Sequence, residues 1–192
     1  MEHQLVFATN NLNKLEEVQI KVGNSFKLLS LKEIGCFEDI AETGLTLEEN
    51  ATIKSTYVYK NYNISCFADD TGLEIFALNN EPGVYSARYS GDRDPIKNMD
   101  LVLEKLKGIE NRSARFRTVI SLIIGNKEHL FEGIVNGTIR KEKSGAAGFG
   151  YDPIFEPEGY DITFAEMNIA DKNKISHRGR AMEKLITFLK GG

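Results

Sequence analysis

The heptapeptide Cys66-Phe-Ala-Asp-Asp-Thr-Gly72 constrains this chain more than any other stretch. A short apolar run of strand character ends there in two adjacent carboxylates, a hydroxyl and a glycine. Neighbouring side chains on a β-strand point to opposite faces, so Asp69 and Asp70 are expected to part, one inward and one toward solvent or a cleft. Two readings follow. In one, the strand ends at an Asx-type turn, with Gly72 taking backbone angles that other residues avoid. In the other, one carboxylate orients backbone while its neighbour holds a divalent cation, because hard Mg²⁺ prefers carboxylate oxygen and usually comes with substrate phosphates. A phosphate site elsewhere in the chain would decide between them.

With 192 residues, 41% of them apolar and 27% charged, the chain can bury one sizeable core. A single domain over 1–192, or two closely joined lobes, is expected. No apolar run approaches the roughly 20 residues that span a bilayer. Residues 1–10 are too short for a signal-peptide core and lack a small-residue cleavage pattern, so a cytoplasmic location and no membrane partner are expected. A net charge of −4 argues against broad binding to nucleic acid, which relies on many Lys and Arg contacts to phosphate. It is compatible with a local basic pocket, and Lys and Arg do gather over 172–180. Cys36 and Cys66 lack metal-type spacing and are expected to be buried thiols.

Taken in order, 4–8 is a short strand, followed by the polar loop 9–14 and a helix with Leu12, Leu15, Val18 and Val22 on one side. The first turn of such a helix is an anion site in waiting. Lys14 falls in that turn, where a cation is unfavourable without an anion nearby; Asn10 or Asn11 capping the helix, with Glu16 and Glu17 offsetting Lys14, is the plainer alternative. A second strand spans 26–31. The loop 34–44 carries Glu38, Asp39 and Glu42, and Thr46 with Glu49 forms a capping box opening a helix to about 61. Glu49 therefore has a structural task, while Glu42 is the local candidate for a second acidic group at a metal.

Beyond the acidic pair, 73–78 reads as a strand, 79–83 as a turn and 94–106 as a helix on Met99, Leu103 and Leu106. The β-branched runs 114–124 and 130–139, joined through Gly125-Asn126, form an antiparallel hairpin. The glycine-rich stretch 145–153 is either a flexible loop or a base site. In the second case Phe149 or Tyr151 offers a flat face and Asp152 accepts from base N–H groups. A last helix follows Ser176, with His177, Arg178 and Arg180 in its opening turn, where cations break a local preference. The dinucleotide fingerprint and the P-loop are both absent.

TNNLNK at 9–14, ETG at 42–44, ADDTG at 68–72, PGVYSARYSG at 82–91, GFGYDP at 148–153 and ISHRGRA at 175–181 together resemble the inosine/xanthosine triphosphate pyrophosphatase family. The resemblance runs in order over nearly the whole chain. It implies a mixed α/β fold with a long central sheet, two lobes and an active-site cleft between them. It further implies a Mg²⁺-dependent homodimer that hydrolyses ITP, dITP and XTP to the monophosphate and pyrophosphate, clearing deaminated purines. Residue by residue, it makes Thr9, Asn10, Asn11, Leu12, Asn13 and Lys14 a triphosphate-binding segment, and Asp70 the catalytic carboxylate and metal ligand. Glu42 takes the position of a second metal ligand, with Glu38 as its rival. Thr71, Phe149, Gly150, Tyr151, Asp152, Lys172, His177 and Arg178 would hold the nucleotide, with Arg178 and His177 facing the base.

Overall fold

The structure, a computed structural model, describes residues 4–22 and 26–191; residues 1–3, the start of the N-terminal stretch read above, lie outside the described residues. Its elements in order are β1 (Gln4–Phe7), α1 (Leu12–Val22), β2 (Lys27–Ser30), α2 (Leu47–Tyr62), β3 (Cys66–Ile75), β4 (Glu81–Gly83) and α3 (Pro95–Lys105). They continue as β5 (Ser113–Ile124), β6 (Lys127–Ile139), β7 (Phe155–Pro157), α4 (Ile169–Ile175) and α5 (His177–Leu189). The strands hydrogen-bond in the order β2-β1-β3-β5-β6-β7, with β4 added on β3. Pairing is parallel for β1 with β2 and β3, and antiparallel for β3 with β4 and β6 with β7. The fold is therefore mixed α/β.

The chain divides into two compact units, residues 1–70 with 118–133 and 178–192, and residues 71–117 with 134–177. In the first, α1 and α2 are the crossovers that parallel strands require. Strand alternation sorts the apolar residues. Leu5, Phe7 and Phe67 face a cluster with Val18, Val22, Ala181, Met182 and Leu185, while Val6, Ala8, Cys66 and Ala68 face one with Cys36 and Val58. Both faces are thus covered, as parallel strands demand. Phe7 and Phe67, partners in the β1–β3 register, stack with ring centroids 4.5 Å apart. Both cysteines are buried and free.

Leu12 departs from the expected apolar stripe. It sits at the first helical position, ahead of the turns that meet the core, and is 78% exposed; packing begins at Leu15. Thr46 caps α2 by accepting from the Glu49 N–H at 3.1 Å. The Glu49 carboxylate reaches back to the N–H of Leu45 at 2.6 Å, one residue earlier than a standard capping box would have it. Gly125 and Asn126, at φ 56° and 61°, make the two-residue turn between β5 and β6. Positive φ at both positions matches the right-handed twist of hairpin strands.

In the second unit Leu73 and Ile75 of β3 pack with Met99 and Val102 of α3 and with Phe116, Ile139, Ile154, Phe155 and Phe164. Asp94 caps α3, accepting from Ile96 and Lys97 at 2.8 and 3.2 Å.

The stretch expected as two strands with a possible break at Gly72 is one strand, β3, and Gly72 lies extended within it. Its lack of a side chain serves a close approach: a Cβ there would stand 2.7 Å from the carbonyl oxygen of Gly83 on β4. The turn itself is made by Asn79 and Asn80, at φ 53° and 66°. Small elements β7 and α4 had no periodic signature long enough to read.

Candidate active site

Within the first unit, Asp69 and Asp70 are both buried, so of the two outward settings expected, solvent or a cleft, open solvent is excluded. Asp69 accepts from two cations: Lys14 Nζ reaches Oδ1 at 2.9 Å and Arg178 Nε reaches Oδ2 at 2.9 Å. Arg178 is buried too, and its Nη1 also donates to the buried carboxylate of Glu17. Burial alone would push the Asp69 carboxyl up; Lys14 and Arg178 outweigh it and hold the group well below the usual carboxylate range. For Lys14 burial wins, and its ammonium is shifted downward despite Asp69.

Asp70 lies in a different setting. Asn50 Nδ2 donates to its Oδ2 at 3.0 Å, and Lys54 Nζ stands 3.9 Å from Oδ1. Lys54 Nζ donates to Glu42 Oε1 at 2.5 Å and to the backbone oxygen of Asp69 at 2.7 Å. Burial raises the Asp70 carboxyl, with Glu42 acting in the same direction, and Lys54, Lys14 and Asn50 do not fully offset them. Lys54 moves up: burial opposes its charge, but Asp70, Glu42 and Asp69 together prevail. Of the two loop glutamates, Glu42 therefore belongs to this group. The Glu38 carboxylate instead accepts from Phe37 N at 3.1 Å and Tyr62 Oη at 3.4 Å on the surface.

The 9–14 loop folds on itself. Thr9 Oγ1 accepts from Asn11 N, and Asn11 Oδ1 caps α1 by accepting from Asn13 N and Lys14 N at 3.0 and 3.3 Å. An anion using those two N–H groups would have to displace Asn11 Oδ1. Asn10 and Leu12 are exposed beside it. Lys14 is answered by Asp69, while Glu17 accepts from Arg178.

The second unit gathers the other expected residues. Asp152 is buried, and its Oδ2 accepts from Phe149 N and from Lys172 Nζ, each at 2.7 Å. Gly148, at φ 75°, is required here because a Cβ would fall 2.1 Å from that oxygen. Lys172 Nζ lies 5.0 Å from the centre of the Phe149 ring, within cation–π range. His177 is buried with its ring stacked on Phe116 at 4.6 Å. Tyr151 cannot offer a flat face: it is buried in the core, its hydroxyl donates to Ser86 O at 2.8 Å, and burial raises its phenol. Phe149, half-buried, is the ring left for that role; Gly150, at φ 64°, has open space where a Cβ would be, and Thr71 is half-buried on β3.

Among the described residues no group of three or more His, Cys, Asp and Glu is spaced to hold a metal ion. Two carboxylates, Asp70 and Glu42, flank the Lys54 ammonium. That donor set suits Mg²⁺, which commonly takes one or two carboxylates and completes its shell with water and substrate phosphates.

A family model described as the Ham1 family matches residues 5–188. The chain belongs to the Ham1 family. The dITP/XTP pyrophosphatase of Flavobacterium psychrophilum is 55% identical over 188 residues, 97% of this chain and 99% of that one. That of Bacillus subtilis is 46% identical over 191 residues, 97% and 96% of the two chains. Among solved structures, the Staphylococcus aureus Ham1 protein superimposes with a TM-score of 0.89 at 40% identity, covering 98% of each chain. A HAM1 protein from Coxiella burnetii gives 0.90 at 38% identity, covering 99% of this chain and 100% of that one.

Two residues of this Ham1-family site, Asn50 and Lys54, were not singled out from sequence, and Glu17 was named there only as a neighbour offsetting Lys14. Their signals were present but faint. Glu17 lies one turn from Lys14 on α1, and Asn50 and Lys54 are spaced i, i+4 on α2, so each pair shares a helix face.

Proposed function

We propose that this chain hydrolyses dITP, XTP and ITP to the monophosphate and pyrophosphate with Mg²⁺ as its metal, removing deaminated purines from the nucleotide pool. The observation that carries the reading is the grouping of Asp69, Asp70 and Glu42 with Lys14, Lys54 and Arg178 in one unit. Such a set can meet a triphosphate with both positive charge and metal-holding oxygen. The 55% identity to a protein named dITP/XTP pyrophosphatase supports the same substrates.

In this reading Asp70 orients the attacking water toward the α-phosphorus. Lys14 and Lys54 balance the charge of the departing pyrophosphate, work that is mostly electrostatic in phosphoryl chemistry. Mg²⁺, when held by Asp70 and Glu42, supplies further neutralisation of the phosphate oxygens. The 9–14 segment and Thr71 position the phosphates and sugar. Arg178 enters as the guanidinium that fixes Asp69, since its Nε and Nη1 are engaged with Asp69 and Glu17. Base reading is assigned to Phe149 as the stacking face and to Asp152, Lys172 and His177 as polar contacts. A donor facing the 6-oxygen would be left unpaired by adenine, and such sites reject a wrong analogue by roughly 10⁴–10⁵. A homodimer in the cytoplasm completes the proposal.

The test is a panel of nucleoside triphosphates with Mg²⁺, scored separately for pyrophosphate and orthophosphate. Pyrophosphate release from dITP, XTP and ITP well above that from ATP and GTP is expected. Orthophosphate as the product, or a preference for a pyrimidine, would overturn the reading; light scattering of the eluting protein tests the dimer.

A further inference from the structure

Asn50 occupies a position that helix chemistry does not favour. Asparagine inside a helix is a weak former, because its amide competes for backbone groups. Here the side chain is completely buried, at 0% exposure, one turn into α2. Both of its ends are engaged. Oδ1 accepts from the Gly44 N–H at 2.8 Å, and Nδ2 donates to Asp70 Oδ2 at 3.0 Å. A backbone N–H can only donate, so the amide oxygen must face Gly44 and the amide nitrogen must face Asp70. The orientation is thus set by chemistry. Gly44 makes it possible: a Cβ at that position would lie 2.8 Å from Asn50 Oδ1 and 2.6 Å from Glu49 Cβ.

We infer that Asn50 is a positioning residue for the hydrolysis. Its amide fixes the rotation of the Asp70 carboxylate about its own axis, holding Oδ2 against the helix and Oδ1 on the side of Lys54. The Gly44–Asn50–Asp70 chain also ties the backbone beside Glu42 to the strand that carries the second carboxylate. One helix face accordingly serves both acids, since Lys54, four residues on, meets Glu42. The inference rests on the proposed role of Asp70.

Asn50→Asp and Asn50→Ala separate this role from simple packing. Aspartate keeps the volume and the acceptor for Gly44 but puts a second carboxylate in place of the donor to Asp70, whereas alanine removes both contacts and adds no charge. Each variant is expected to lower kcat by about 10–100-fold, the range found when a group orienting a metal ligand is removed. KM for ITP should stay within about threefold, the sign of an interaction used in the transition state. A packing role predicts instead that Asn50→Ala, which adds no charge, loses stability but keeps near-normal kcat in its folded fraction. That result, or a rise in KM at unchanged kcat, overturns the inference.

A readout without metal or substrate guards against variants that fail to fold. In ¹H–¹⁵N spectra, the Asn50 side-chain amide pair should exchange slowly with solvent and move in Asp70→Asn. An unmoved pair refutes the contact. Asp70→Asn also serves as the control: an inactive Asp70→Asn beside an active Asn50→Asp defeats only the Asn50 inference. Turnover surviving in Asp70→Asn defeats the reading beneath it.

Discussion

Asp69 is held by two cations, Lys14 on one oxygen and Arg178 on the other, whereas its chain neighbour Asp70 meets a neutral amide and stands 3.9 Å from Lys54. The same side chain, one residue apart in one strand, is thereby shifted in opposite directions. Burial acts against the charge of both. At Asp69 the cations overcome it, and at Asp70 they do not. The comparison teaches how adjacent carboxylates can divide labour: the overcompensated one is an anchor, and the undercompensated one keeps affinity for a proton or a metal.

The largest effect should come from breaking the reactive side. Asp70→Asn is expected to lower turnover by at least about 10²–10⁴-fold, the contribution of a positioned acid–base group. Because the folded state disfavours the charge of Asp70, the same variant should melt no lower than the parent protein. A gain of about 2–4 °C would correspond to about 1 kcal/mol at this size; differential scanning calorimetry beside the activity assay reads both.

Next comes the anchor. Arg178→Ala leaves the buried carboxylates of Asp69 and Glu17 without their shared partner, a change that typically costs about 3–5 kcal/mol. Urea unfolding of Arg178→Ala should show that loss as a fall in midpoint with little change in slope. A variant as stable as the parent would mean that Asp69 is not an anchor.

Acid titration sharpens the contrast with a smaller effect. The folded-state pKa of Asp69 lies below its unfolded value of about 3.9. Its stabilising contribution is therefore complete above that value and is lost as pH falls through the lower folded one. Asp70, raised, works in the reverse sense: its contribution is present below the unfolded pKa and fades as pH rises through the higher folded value. Urea midpoints between about pH 5 and 2 should fall less steeply in Asp69→Asn than in the parent, and more steeply in Asp70→Asn.

The smallest effect concerns the same strand two turns of alternation earlier. Burial pushes the Cys66 thiol up to about 12. Iodoacetamide at pH 8 should leave Cys66 unmodified in the native protein and label it in denaturant, as intact-mass spectrometry would show.

Much of this was legible along the chain, and what escaped was long-range. Alternation and helical spacing located the strands and helices around the acidic pair, and Thr46, Asp94 and Gly125-Asn126 marked their boundaries. Local pattern also singled out the loop carboxylate Glu42 and grouped Phe149 with Asp152, while only the family resemblance joined Lys172 to them; its ammonium meets Asp152 at 2.7 Å. The partners of the charges were another matter. Arg178 reaches Asp69 across 109 positions and Glu17 across 161, and no periodicity encodes such a pairing. Hence the sequence left the partner of Lys14 open between a distant anion and its neighbours Glu16 and Glu17, and it gave no sign that Asp69 and Glu17 would both meet Arg178. The choice between Phe149 and Tyr151 stayed open for a similar reason: an aromatic in a glycine-rich stretch gives no hint of which core it enters.

Gly72 carries a warning for anyone who would stabilise this protein. Replacing glycine with alanine is a common way to stiffen a chain, and it works where the backbone conformation suits alanine. Gly72 has such a conformation, so a backbone survey would recommend the change. The added methyl would nonetheless press on the Gly83 carbonyl and force apart two paired strands, two residues from Asp70. Torsion angles alone are a poor guide to which glycines can be spared.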